Sequence, residues 1–236
     1  MAGLKPPVLK LGVLISGRGS NLQALIDACA QPGFPAGIAL VLSNKDDAYG
    51  LERARKSGIA TAVVSHRDYP GDKPAFEAAM DAALRDAGVE LVCLAGFMRI
   101  LSPWFVERWQ DRLINIHPSL LPSFKGLDTH ERAIAAGVRV HGCTVHFVRP
   151  AMDDGPIIVQ AAVPVLGTDE PHDLAERVLA QEHRIYPLAV RLIAEGRARV
   201  DGERVVVEGH VPEAGAALVN PTDNPIPPLA DSRGAP

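Results

Sequence analysis

The sequence predicts an α/β protein built on an open, mostly parallel twisted sheet of about seven strands, with helices on both faces. Three observations predict it. Short β-branched or aliphatic runs alternate with amphipathic stretches for most of the 236 residues, the pattern that βαβ units around a parallel sheet leave in a chain. That length buries a full core yet stays within the range of a single α/β domain. A glycine-bearing segment, SGRGSNLQAL, joins the first apolar run to the first amphipathic one, as a strand-to-helix turn requires.

In chain order, strands are expected at Val8 to Ile15, Gly37 to Leu42, Ala60 to Val64, Leu91 to Leu94, Leu113 to His117, Thr144 to Val148 and Ile157 to Val163. Leu22, Leu25 and Ile26 make one helical face after Ser20, and Phe76, Met80, Ala83 and Leu84 make another after Asp72. Leu94 to Pro103 runs from a strand end into a helix start. Asp169 to Glu195 reads as the longest helix, with Pro171 in its first turn and Pro187 expected to kink it. ARVDGERVVVEG then predicts a hairpin turning at Asp201 and Gly202. Residues 1–210 are expected to form one domain and 211–236, proline-rich and poor in large apolar residues, a flexible tail.

A net charge of -4, with 24 Lys and Arg against 28 Asp and Glu, lacks the cationic excess that tracking nucleic-acid phosphates needs. Cys29, Cys93 and Cys143 are far apart and form no CxxC pair, so neither a disulfide framework nor a metal site is expected. Reduced thiols in the cytoplasm are the reading this cysteine pattern suggests; the apolar run near the N-terminus, too short to span a membrane and preceding no small-residue cleavage site, reads as a first buried strand.

Four stretches carry candidate chemistry. In INIHPSLLP, side chains alternate faces, so Leu113, Asn115 and His117 share one face and Ile114 and Ile116 the other. Pro118 ends the pairing, which puts Asn115 and His117 at the carboxyl end of a strand, where open α/β sheets bind ligands. An isolated buried histidine is commonly satisfied by backbone alone; two polar groups on one face before a proline argue for a site. In SGRGSNLQAL, Gly17 and Gly19 permit a tight turn, Ser20 is placed to cap the helix, and free amides at its start suit a phosphate. The GxGxxG spacing is missing and VLSNKDD ends the second strand on Ser43 and Asn44 rather than an acid, which argues against a nicotinamide cofactor. In HFVRPAMDDGPII, Asp153 or Asp154 either faces solvent or folds back on His117, where it would favour the imidazolium. In LAGFMRILSP, apolar residues around Arg99 either pack in the core or receive a flat heteroaromatic ring.

Together with SNKDDAYGLERA, INIHPSLLPSFKGLDTH, HGCTVHFVRPAMDDGPIIVQ and AQEHRIYP, these stretches resemble the phosphoribosylglycinamide formyltransferases of purine biosynthesis, over roughly residues 8 to 197 and in the same order. The resemblance implies a Rossmann-like formyltransferase fold and transfer of a formyl group from 10-formyltetrahydrofolate to the amino group of glycinamide ribonucleotide, without a metal. It implies Asn115, His117 and Asp153 as the catalytic trio, Asp154 standing where a small residue is common. Gly19, Ser20 and Asn21 resemble the segment that holds the phosphate and ribose, and Glu182 the acid for the ribose hydroxyls; Leu179 replaces a residue that is often polar. Met98, Arg99, Ile100 and Leu101 resemble the pterin segment, with Arg149, Pro150, Ala151, Met152 and Asp153 closing over the ring. Lys73 stands where relatives often carry an arginine near the folate tail.

Two other enzymes share the donor and similar catalytic letters, formyltetrahydrofolate deformylase and methionyl-tRNA formyltransferase, but both normally carry an extra domain. A non-catalytic phosphate-sensing module would leave Asn115, His117 and Asp153 without a purpose. Ser123 to Arg132 is expected to close over the substrate and exclude water. The partners expected are the two small molecules, with neither nucleic acid nor membrane, and the chain is expected to act as a monomer or homodimer.

Overall fold

The computed structural model describes residues 8–209 together with Leu218 and Asn220. β1 (Leu9–Ile15), β2 (Ala36–Ser43), β3 (Thr61–Val63), β4 (Leu91–Leu94) and β5 (Leu113–His117) run parallel; β6 (Val140–Phe147) and β7 (Ile157–Pro164) add antiparallel strands at one edge. The order across this seven-stranded sheet is β3-β2-β1-β4-β5-β6-β7. The chain moves outward from β1 in one direction, then returns to its other side at β4, so a crevice opens at the carboxyl ends of β1 and β4.

Two apolar cores flank the sheet. On one face α1 (Ser20–Cys29) and α6 (Pro171–Ala194) bury Leu22, Leu25, Leu174, Val178 and Tyr186 against Val13, Ile15, Cys93 and Ile114. On the other, α3 (Lys73–Asp86) and α4 (Pro103–Arg108) bury Phe76, Met80, Leu84 and Phe105 against Leu14, Leu42 and Val92. Alternation along a parallel strand feeds both cores, which is why these strands read as unbroken apolar runs. α2 (Tyr49–Lys56) and α5 (Thr129–Ala135), each with too few apolar positions to show a period, complete the helices.

Local chemistry corrects several expectations. Ser20 is the first helical residue of α1; the cap is Gly19 at φ 70°, a left-handed conformation that glycine adopts without strain, and no side chain caps the end. Asp72 does cap α3, accepting from the Ala75 amide at 2.9 Å. α6 begins at Pro171, two residues later than expected, because Glu170 and Asp173 form a reciprocal capping box, and the helix continues through Pro187. β6 starts at Val140 and ends at Phe147, since its partner β7 pairs with it from Val140 onward. In the hairpin of β8 (Ala198–Asp201) and β9 (Arg204–Val207), Asp201 pairs with Arg204, so the turn residues are Gly202 and Glu203. Gly202 takes φ 61° at the first turn position.

The segment 211–236 lies outside the described residues except for Leu218 and Asn220. Asn220 Nδ2 donates to the carbonyls of Arg139 at 2.7 Å and Val165 at 2.8 Å, beside the paired ends of β6 and β7. No helix among the described residues is long and apolar enough to cross a membrane.

Candidate active site

At the carboxyl end of β5, Asn115 and His117 project into a cavity of about 770 Å³ that also reaches Asp153 and Glu182. His117 is buried, 5% exposed. Its Nδ1 lies 3.3 Å from Asp153 Oδ1 and its Nε2 3.0 Å from the Phe124 carbonyl, so both ring nitrogens face oxygen acceptors. Only the imidazolium donates at both nitrogens. Asp153 takes φ 48°, a left-handed turn that aims its carboxylate inward, and its Oδ2 accepts from the Gly126 amide at 2.7 Å. Asp154 points away to Lys125, 2.9 Å from its Nζ. Of the two adjacent acids, Asp153 is the one turned towards the imidazole.

Asn115 Nδ2 lies 3.4 Å from His146 Nε2. His146 is 1% exposed, and burial lowers its pKa, holding the ring neutral. Its Nδ1 lies 3.0 Å from the Phe147 carbonyl, which fixes the proton on Nδ1 and leaves Nε2 to accept from Asn115. The Asn115 amide is thereby oriented from behind. The antiparallel register opposes Asn115 to His146.

Asn21 and Glu182 also line the cavity; Asn21 Nδ2 donates to Glu182 Oε2 at 2.7 Å, while Asn21 Oδ1 is buried without a partner among the described residues. Burial raises the Glu182 pKa, opposed by the Asn21 bond. Gly19 and Ser20 precede Asn21 in the same turn, outside the cavity lining. The lining also includes Met98, Arg99, Ile100 and Leu101 and, from a second segment, Arg149, Pro150, Ala151 and Met152. Met98, Ile100 and Met152 are 64%, 73% and 57% exposed, an apolar rim left uncovered among the described residues. Lys73 is not in this cavity; with Arg99, His66 and Tyr69 it lines an adjoining cleft of about 300 Å³. Leu179, on α6, is absent from the linings of both the cavity and the cleft.

The segment expected to close over the site splits in two. Thr129 to Arg132 forms the first turn of α5, and residues 123–128 form the loop proper. That loop supplies the Phe124 carbonyl and the Gly126 amide, and Arg132 holds it by donating to the carbonyls of Lys125 at 2.6 Å and Leu127 at 3.2 Å.

Three contributors were not visible in the sequence. The Phe124 carbonyl has no side-chain signature, and His146 becomes relevant only through strand register. Glu77, 1% exposed, accepts from the Ser102 amide at 2.7 Å and from its hydroxyl, fixing the chain just after Leu101. Its position on the buried face of α3, amid Phe76 and Met80, was the available signal.

A family model described as formyl transferase matches residues 9–190. The phosphoribosylglycinamide formyltransferase of Escherichia coli (strain K12) is 45% identical over 209 residues, 86% of this chain and 98% of its own length. The trifunctional purine biosynthetic protein adenosine-3 of Bos taurus is 50% identical over 197 residues, 84% of this chain. This chain spans only 19% of that larger relative. Among solved structures, glycinamide ribonucleotide transformylase 1 from Symbiobacterium toebii superposes with a TM-score of 0.82 at 50% identity, over 85% of this chain and 94% of that one. With the matched region running from β1 into α6 and holding every side chain that meets in the cavity, the chain belongs to the formyl transferase family.

Proposed function

We propose that this protein transfers a formyl group from 10-formyltetrahydrofolate to the amino group of glycinamide ribonucleotide, a step of de novo purine biosynthesis in the cytoplasm. The observation that carries the reading is the meeting of Asn115, His117 and Asp153 in one cavity, the imidazole 3.3 Å from the carboxylate. Relatives that match this chain along nearly their whole length carry the corresponding name.

In the reaction the neutral amine attacks the formyl carbon, a carbon–nitrogen bond forms, and the bond to the folate nitrogen breaks. Negative charge develops on the formyl oxygen. Asn115 donates to it from Nδ2, whose other hydrogen is held by His146, and His117 donates as the imidazolium. A preorganised donor of this kind contributes on the order of 3 kcal/mol in a water-poor site. Asp153 pairs with the His117 ring through Oδ1 and orients the water that carries the amine proton to the departing folate nitrogen.

The pterin lies between residues 98–101 and 149–153, where exposed apolar side chains flank backbone amides and carbonyls. The anionic folate tail runs to Lys73 and Arg99. Gly19, Ser20 and Asn21 take the phosphate and ribose, and Glu182 the ribose hydroxyls. The protein acts on these small molecules as a monomer or homodimer, without nucleic acid or membrane.

The test is an assay with each substrate omitted in turn. Formation of the deformylated folate that requires glycinamide ribonucleotide is the expected result. Formate release at the same rate without the ribonucleotide would identify a deformylase instead.

A further inference from the structure

SNKDDAYGLERA, the stretch that supplies α2, contributes no side chain to the cavity, yet it touches the glycine turn at every carbonyl that α1 does not. The Gly50 amide donates to the Gly17 carbonyl at 3.0 Å, and Arg53 Nε donates to the Arg18 carbonyl at 3.0 Å. The Gly19 carbonyl takes the first bond of α1, from the Gln23 amide at 2.9 Å. The two backbones pack directly: a Cβ on Gly19 would lie 2.8 Å from the Gly50 Cα, and one on Gly50 would lie 2.5 Å from Ile15 Cδ1. Arg53 is itself fixed, its Nη1 donating to Gln23 Oε1 at 3.1 Å and its guanidinium 5.0 Å over the Tyr49 ring.

Three successive carbonyls are thus turned into the protein. Among the described residues, none of the amides from Gly17 to Asn21 donates to a protein acceptor. A turn whose carbonyls are all tied behind it presents its N–H groups forward, the arrangement that receives an anion. Without the Arg53 bond, the Arg18 peptide is free to rotate its oxygen towards the ligand, replacing an attractive dipole with a repulsive one.

We propose that Arg53 is a positioning residue for the phosphate of the ribonucleotide, acting through the Arg18 carbonyl rather than by touching the reacting atoms. The inference rests on the function proposed above. Arg53→Met keeps the aliphatic stem over Tyr49 and removes the donors. It is expected to raise KM for glycinamide ribonucleotide about tenfold, the worth of one hydrogen bond to a charged donor. Turnover at saturation and KM for the folate are expected to stay within about twofold, because neither depends on the turn. Arg53→Lys, which retains a donor, is expected to recover part of the loss.

The deciding comparison uses glycinamide riboside, the same substrate without its phosphate. A phosphate-positioning role predicts equal kcat/KM on the riboside for wild type and Arg53→Met. An equal loss on both substrates, or an unchanged KM for the ribonucleotide, overturns the inference. Calorimetry of both ligands without folate reads the same difference independently of turnover. Absence of formyl transfer by the wild type would contradict the proposed function, while weaker ribonucleotide binding by Arg53→Met with unchanged riboside binding would still support the brace.

Discussion

At the residue scale, two buried imidazoles in one region take opposite roles because of what faces their nitrogens. His117 meets two oxygen acceptors, whereas His141, 1% exposed, has both ring nitrogens without a partner among the described residues and stacks edge-on against Phe124 and His130. Burial lowers the His141 pKa to about 4. The folded state therefore binds fewer protons than the unfolded chain between the ordinary value of 6.5 and about 4, so the stability attributable to this ring falls as pH drops through that window. His141→Phe retains the stacking; its melting temperature is expected to fall less steeply than that of wild type from pH 6.5 to 4. An identical slope would place the acid sensitivity elsewhere. Asn115 and His117 were legible in the sequence because a polar pair in an apolar strand contradicts its own burial. Which of Asp153 and Asp154 turns inward was open from the local pattern, since that depends on a positive φ at Asp153; only the family resemblance selected Asp153.

At the element scale, the loop of residues 123–128 is the piece proposed to close over the substrate. It is tied to the site by the Gly126 amide on Asp153, the Phe124 carbonyl on His117 and the Lys125–Asp154 pair. Phe124, Gly126 and Asp128 all take positive φ, a conformation that costs non-glycine residues energy and that the surrounding bonds must hold. Binding of both substrates is expected to slow hydrogen exchange in residues 123–128 by at least about tenfold, while exchange in the central strands, already limited by global unfolding, stays constant. No change in the loop would rule out closure. No apolar period marks α2 or α5, since helices of eight and seven residues make only about two turns. The longest helix, α6, was legible because 24 residues repeat the apolar face many times.

At the scale of the whole molecule, the reversal of strand order between β1 and β4 sets the glycine turn beside residues 98–101, and β5 brings Asn115 and His117 to the same rim. The parallel core of the sheet was legible from alternating apolar runs and amphipathic stretches. The antiparallel edge was not, because buried strands of either direction read alike when both faces are covered. A single domain over residues 1–210 remains a proposal, and truncation tests it: removal of 211–236 loses the two Asn220 bonds, about 1 kcal/mol each at most, and is expected to lower Tm by only a few degrees with transfer retained. Loss of folding would refute that boundary. The most direct test of the catalytic trio is His117→Ala, measured by kcat with both substrates saturating and by calorimetric Kd for glycinamide ribonucleotide. The trio predicts that kcat falls about a hundredfold or more while Kd stays within a few-fold; near-normal turnover would contradict it.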